Sequence, residues 1–128
     1  MIKQIKILES NALAFEITGG FTEADEKLAQ KLFKEKLDLG YKKVNILMKV
    51  DGYIISQTEF KAFFEDIIFV IRKFKNLGNL AIVGHSKILK TLVPIDNLFF
   101  QSLKSGEKEQ YFDVSQLDEA FKFVTMNQ

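Results

Sequence analysis

The stretch from Ser56 to Phe74, SQTEFKAFFEDIIFVIRKF, constrains the fold more than any other. Phe60, Phe63, Phe64, Ile67, Ile68, Ile71 and Phe74 recur at steps of three and four. At about 100° per residue they fall in one stripe roughly 140° wide, which is the pattern of an amphipathic helix with a broad buried face. Ser56 with Glu59 fits a capping box, and Ile55 with Phe60 fits a hydrophobic staple. Arg72, Lys73 and Lys75 suit the negative pole of the helix dipole, and Gly78 is placed to close the helix. So broad an apolar face needs a sheet or other helices to cover it.

The flanking segments supply that sheet. Ile2 to Leu8 reads as a strand with Ile5 and Ile7 on one face, and Ala12 to Thr18 as a second in which Leu13, Phe15 and Ile17 alternate with Ala14 and Glu16. The short connection at Asn11 requires a hairpin, hence an antiparallel pair. Thr22 with Asp25 then marks a helix running to about Leu39 and stopped by Gly40, with Ala24, Leu28, Leu32 and Leu39 on one ridge and Ala29, Phe33 and Leu37 on the next. Val44 to Val50 is the third strand. Leu80 to Val83 is a continuous apolar run of the kind a strand buried on both faces shows. Ser86 to Val93 forms a short helix stopped by Pro94, and Asp96 to Leu103 a further turn or two. Lys108 to Asp113 is the last strand, and Ser115 with Asp118 caps a terminal helix carrying Leu117, Ala120, Phe121 and Val124 on one face. In this scheme all 7 glycines fall at element boundaries. The order β-β-α-β-α-β-α-β-α predicts one α/β domain over residues 1–128. It has a mostly parallel five-stranded sheet, an antiparallel N-terminal edge strand and about four helices.

Composition excludes several classes. With 18 basic and 17 acidic residues the net charge is +1, without the basic surplus of a nucleic-acid binder. There is no cysteine, so disulfides, a thiol nucleophile and cysteine-ligated zinc are all ruled out. The N-terminus is too charged for a signal-peptide core, and no apolar run approaches the roughly 18 residues a membrane span needs. A cytoplasmic protein with no cofactor is the expectation. The 13 phenylalanines lie mostly at core-facing spacings.

The motifs Leu13-Ala14-Phe15-Glu16-Ile17 with Thr18-Gly19, the aromatic helix Phe60 to Phe74, Phe74-Lys75 leading into Leu80-Ala81-Ile82-Val83-Gly84, and Tyr111-Phe112-Asp113 resemble the SpoIIAA-like family of the STAS superfamily. The resemblance covers nearly the whole chain and implies a fold like that of the lipid-binding CRAL-TRIO domains. Regulatory STAS proteins carry a phosphorylatable Ser or Thr directly after an Asp, where the third strand meets the next helix. Here that junction reads Asp51-Gly52-Tyr53-Ile54-Ile55-Ser56. No hydroxyl follows Asp51, so the phosphoswitch does not carry over. Asp51 and Ser56 mark the corresponding region, with Ser56 better used as a helix cap.

Catalytic groups are few. His85, the only histidine, follows Gly84 at a strand end where α/β folds place ligand sites. A triad would need a third partner, and Asp51 is the topological candidate. Apolar groups off the core faces are more numerous. Phe69 lies opposite the buried stripe of its helix, and Phe123 lies off the apolar face of the last helix. Tyr53, Ile54 and Ile55 form an apolar loop, and Leu98, Phe99, Phe100 and Leu103 form a cluster after Pro94. These features predict a non-catalytic interaction or regulatory module that binds a protein partner or self-associates as a homodimer. The alternative is a binder or carrier of a small lipid-like apolar ligand, and the third reading is a hydrolase-like enzyme using His85.

Overall fold

The computed structural model describes residues 1–18, 22–50, 65–66, 69–71, 73–85, 101–102 and 108–125. The hairpin forms from β1 (Ile2–Lys6) and β2 (Ala12–Ile17), antiparallel, with Ile2 opposite Ile17 and Lys3 opposite Glu16. A bulge between Gln4 and Lys6 ends the regular pairing early, so Ile7 falls beyond the strand and is exposed. Next come β3 (Val44–Val50) and β4 (Leu77–Gly84), then β5 (Gln101–Ser102) and β6 (Lys108–Asp113). The sheet order is β1-β2-β3-β4-β6-β5, with β2, β3, β4 and β6 mutually parallel.

The five longer strands thus lie in sequential order with the antiparallel strand at one edge, as expected. The two-residue β5 is an addition. The sequence reads residues 101 and 102 as part of a helical stretch, but they pair antiparallel with Lys108 and Glu109 and cover the edge that β6 would otherwise expose.

Side chains alternate between two covered faces, which is why the central strands read as unbroken apolar runs. On one face Phe15, Ile17, Ile46, Met48, Leu80, Ile82 and Tyr111 pack beneath α1 (Glu23–Asp38) and Ile71. On the other face Ala12, Ala14, Leu47, Ala81, Val83 and Phe112 pack against Ala120 and Val124 of α2 (Leu117–Thr125). Phe123 belongs to this second core. Its ring lies 5.8 Å from that of Phe112, so it is not the exposed aromatic that its helix position suggests.

Helix α1 starts at Thr22 through a complete capping box with Asp25 and ends at Gly40, whose φ of 102° suits glycine. Only its Ala29–Phe33–Leu37 ridge faces the sheet, joined by Leu32; Ala24, Leu28 and Leu39 are exposed. Two charged side chains set this rotation. The Asp25 carboxylate accepts a hydrogen bond from the Ile2 N–H at 3.0 Å, and the Lys36 ammonium donates to the carbonyls of Leu8 and Ser10 at 2.6 and 2.5 Å. The helix is therefore clamped to the hairpin at both ends, with the acid near its N-terminus and the base near its C-terminus, as its dipole favours.

Gly78 does not close a helix. It lies inside β4, and the left-handed residue before the strand is Asn76, with φ of 69°. A Cβ at Gly78 would collide with Oδ1 of Asn45. That buried amide accepts from the Asn79 N–H and donates to the Val124 carbonyl, both at 2.7 Å, and so joins β3, β4 and α2. The terminal helix is also capped differently from expectation. Asp113 accepts from the Ser115 N–H and caps a 3-10 turn over Val114–Gln116, which leads into α2.

Candidate interaction surface

Helix α1 and the helical residues 65–66 and 69–71 flank an open groove on one side of the molecule. Ile71 enters the core, and Phe74 meets Phe33 edge-on with ring centroids 5.0 Å apart. The Lys73 N–H donates to the Val70 carbonyl and the Phe74 N–H to the Ile71 carbonyl, both at 3.1 Å. This turn carries the chain out of the helix and down into β4. With Ile71 turned inward, Phe69 is turned outward and is 62% exposed. The Lys73 ammonium sits 3.8 Å from the centroid of the Phe69 ring. At an exposed site such a cation–π contact contributes about 0.5–1 kcal/mol and holds the ring in place on the surface.

The groove changes character along its length. Near the start of α1 its walls carry Glu23, Glu26 and Asp66, with Lys27 among them. Toward the end of α1 it has an apolar floor of Phe33, Leu37, Val70 and Phe74, flanked by Lys34, Lys73 and Lys75; this half encloses about 350 Å³. Glu26, Gln30 and Val70 line both halves. The ion pairs along α1, Glu23–Lys27 at 3.3 Å and Lys34–Asp38 at 4.0 Å, are exposed and contribute little to stability.

Of the residues singled out for binding, Phe69 is the one the described residues include. Tyr53, Ile54, Ile55, Leu98, Phe99, Phe100 and Leu103 lie outside them, as do Asp51 and Ser56 of the switch region. His85 is exposed just beyond β4, while Asp51, its candidate partner, and the helix expected from Ser86 to Val93 lie outside the described residues. Among the described residues no group of three or more His, Asp or Glu side chains could hold a metal ion. No helix among them is long and apolar enough to cross a membrane.

Two polar features escaped the sequence reading. The carboxylate of Glu109 is fully buried and accepts a hydrogen bond from the Tyr111 hydroxyl at 2.7 Å. Both residues share the α1 face of the sheet, and their spacing of two along β6 was the available signal. Near the opposite ends of their strands, Lys49 and Glu16 are register partners on β3 and β2 and form an ion pair at 3.1 Å.

Comparison with curated proteins and with solved structures found no significant match. A family description, SpoIIAA-like, matches residues 12–125. That span begins at the first residue of β2 and ends at the last residue of α2. The chain therefore belongs to the SpoIIAA-like family of STAS-type domains.

Proposed function

We propose that the chain is a single-domain, non-catalytic interaction module of STAS type. It acts in the cytoplasm and presents the groove between α1 and the wall of Asp66, Val70, Lys73, Phe74 and Lys75 to a protein partner. The observation that carries this reading is Phe69. A large aromatic ring is held at the surface against Lys73, a residue that also flanks the groove with the apolar floor. Aromatic anchors surrounded by charged groups are the usual centres of recognition surfaces.

The openness of the groove favours a protein over a small apolar ligand. Pockets for small molecules enclose most of the ligand's surface, whereas this one is a trough open along its length. A photo-crosslinking amino acid placed at position 69 tests the reading in cells of the source organism. Specific protein adducts from position 69, absent when the same probe replaces exposed Lys122 on α2, are expected. Identical patterns from the two sites, or no adduct from position 69, would refute the proposal.

A further inference from the structure

We propose that the groove between α1 and the wall of Asp66, Val70, Lys73, Phe74 and Lys75 docks on the same groove of a second copy of the chain, related by a two-fold axis that sets the two α1 helices antiparallel. This rests on the interaction-module reading and names the partner. The charges argue for it. Asp66 lies beside Glu23 and Glu26, and Phe74 lies beside Phe33, so the two walls run in the same direction. Their charges therefore add along one axis instead of cancelling. Glu23, Glu26 and Asp66 outnumber Lys27 at one end and make it net negative, and Lys34, Lys73 and Lys75 make the other positive. Gln30 and Val70 lie at the centre, with Glu26 one helical turn toward the negative end.

A bipolar strip of this kind is complementary to itself under one operation. A two-fold axis through Gln30 and Val70 lays the acidic end of each copy on the basic end of the other. A parallel arrangement would oppose like charges at both ends. Phe69, adjacent to Val70, then lies near the axis, where the two exposed rings meet each other. From Glu23 to Leu37 the strip is about 21 Å long at 1.5 Å per helical residue. That footprint is at the small end of specific interfaces, so a weak, reversible dimer is expected.

The test uses sedimentation equilibrium on the purified full chain and on two charge-reversed variants. Between about 10 μM and 1 mM, the range a small interface requires, the wild-type mass should rise from 14.7 kDa toward twice that value. Glu26→Lys with Asp66→Lys makes both ends of the groove net basic, and Lys34→Glu with Lys73→Glu makes both ends net acidic. Each variant alone should self-associate about 10- to 100-fold more weakly, because the two-fold symmetry counts every lost exposed pair twice. An equimolar mixture should recover the dimer. Circular dichroism checks that each variant folds.

A second readout does not depend on the charge variants. The chain has no cysteine, so Phe69→Cys introduces a single thiol. Near a two-fold axis it should oxidise to a disulfide-linked dimer much faster than Lys122→Cys on the opposite face of the sheet. A wild type that stays at 14.7 kDa, a dimer indifferent to both charge reversals, a mixture that fails to recover, or equal oxidation at the two cysteine sites overturns the proposal. Crosslinks from position 69 to a different protein, with a monomeric wild type, would remove self-docking and leave the interaction module standing. The absence of any adduct from position 69 would remove the interaction module itself.

Discussion

Gly78 and Asn45 should be coupled far more strongly than their separate substitutions imply. The Asn45 amide is 4% exposed and makes two hydrogen bonds of 2.7 Å, accepting from the Asn79 N–H and donating to the Val124 carbonyl. Asn45→Ala takes both away. With a cost of about 1–3 kcal/mol for each buried group deprived of its partner, the expected loss is roughly 2–4 kcal/mol. Gly78→Ala reaches the same end by another route. Its new Cβ would occupy the space of Asn45 Oδ1, so the amide must rotate away and abandon both bonds. A similar loss of about 2–4 kcal/mol follows.

Once Asn45 is alanine, the nearest remaining obstacle to that Cβ is the Val44 carbonyl at 3.4 Å, an ordinary contact. Gly78→Ala should then be close to neutral, or stabilising by about 0.5 kcal/mol through lost freedom of the unfolded chain. Urea denaturation of the four proteins, followed by circular dichroism, closes the cycle. A coupling energy of about 2–3 kcal/mol is expected. Costs that add to within about 0.5 kcal/mol would show that Asn45 does not occupy the space over Gly78.

Other consequences are simpler. Burial alone would raise the pKa of the Asp25 carboxyl, but hydrogen bonds from the Thr22 and Ile2 N–H groups and the Thr22 hydroxyl, with the N-terminal ammonium, hold it below the usual 3.8. Its stabilising contribution is therefore complete above about pH 4 and is lost as pH falls through the lowered folded value. The stability gap between wild type and Asp25→Asn, measured by urea denaturation, should narrow only on acidification below pH 4; a constant gap would contradict the assignment. Lys36→Met should cost about 1–3 kcal/mol and speed amide exchange in the β1–β2 turn, since it removes charged hydrogen bonds to Leu8 and Ser10. Unchanged exchange there would sink the clamp. Phe69→Lys, on an exposed ring, should shift the thermal midpoint by less than about 3 °C while abolishing partner crosslinks from the same probe placed at Gln30 on the facing wall. A large loss of stability would mean that the ring packs within the molecule.

The sheet was legible in the sequence wherever apolar residues alternate or run unbroken between turn formers. Val44–Val50 and Lys108–Asp113 form strands over the limits that their patterns predict. Helix α1 was legible because its cap, Thr22 with Asp25, and its stop, Gly40, are local signals. What failed depends on contacts distant in sequence. The rotation of α1 is set by the bonds of Asp25 and Lys36 to the hairpin, and hydrophobic spacing alone could not choose between its two apolar ridges. Gly78 reads as a helix stop until Asn45, on the neighbouring strand, fills the space where its side chain would be. β5 is too short for any periodicity, and an edge pairing creates it. The exposure of Phe69 follows from helical spacing alone. The bipolar groove does not, because it depends on two segments, more than thirty residues apart in the chain, running in the same direction.

The central claim is that this family member recognises a protein through the face bearing Phe69. Native mass spectrometry of freshly purified wild type and Phe69→Lys tests it most directly, with denaturation afterwards to release anything bound. A protein complex, or at about 100 μM a dimer, is expected in the wild type and lost in Phe69→Lys, with no stoichiometric apolar adduct in either. An apolar molecule bound one-to-one to both proteins and released only on unfolding would contradict it, and would make the chain a carrier.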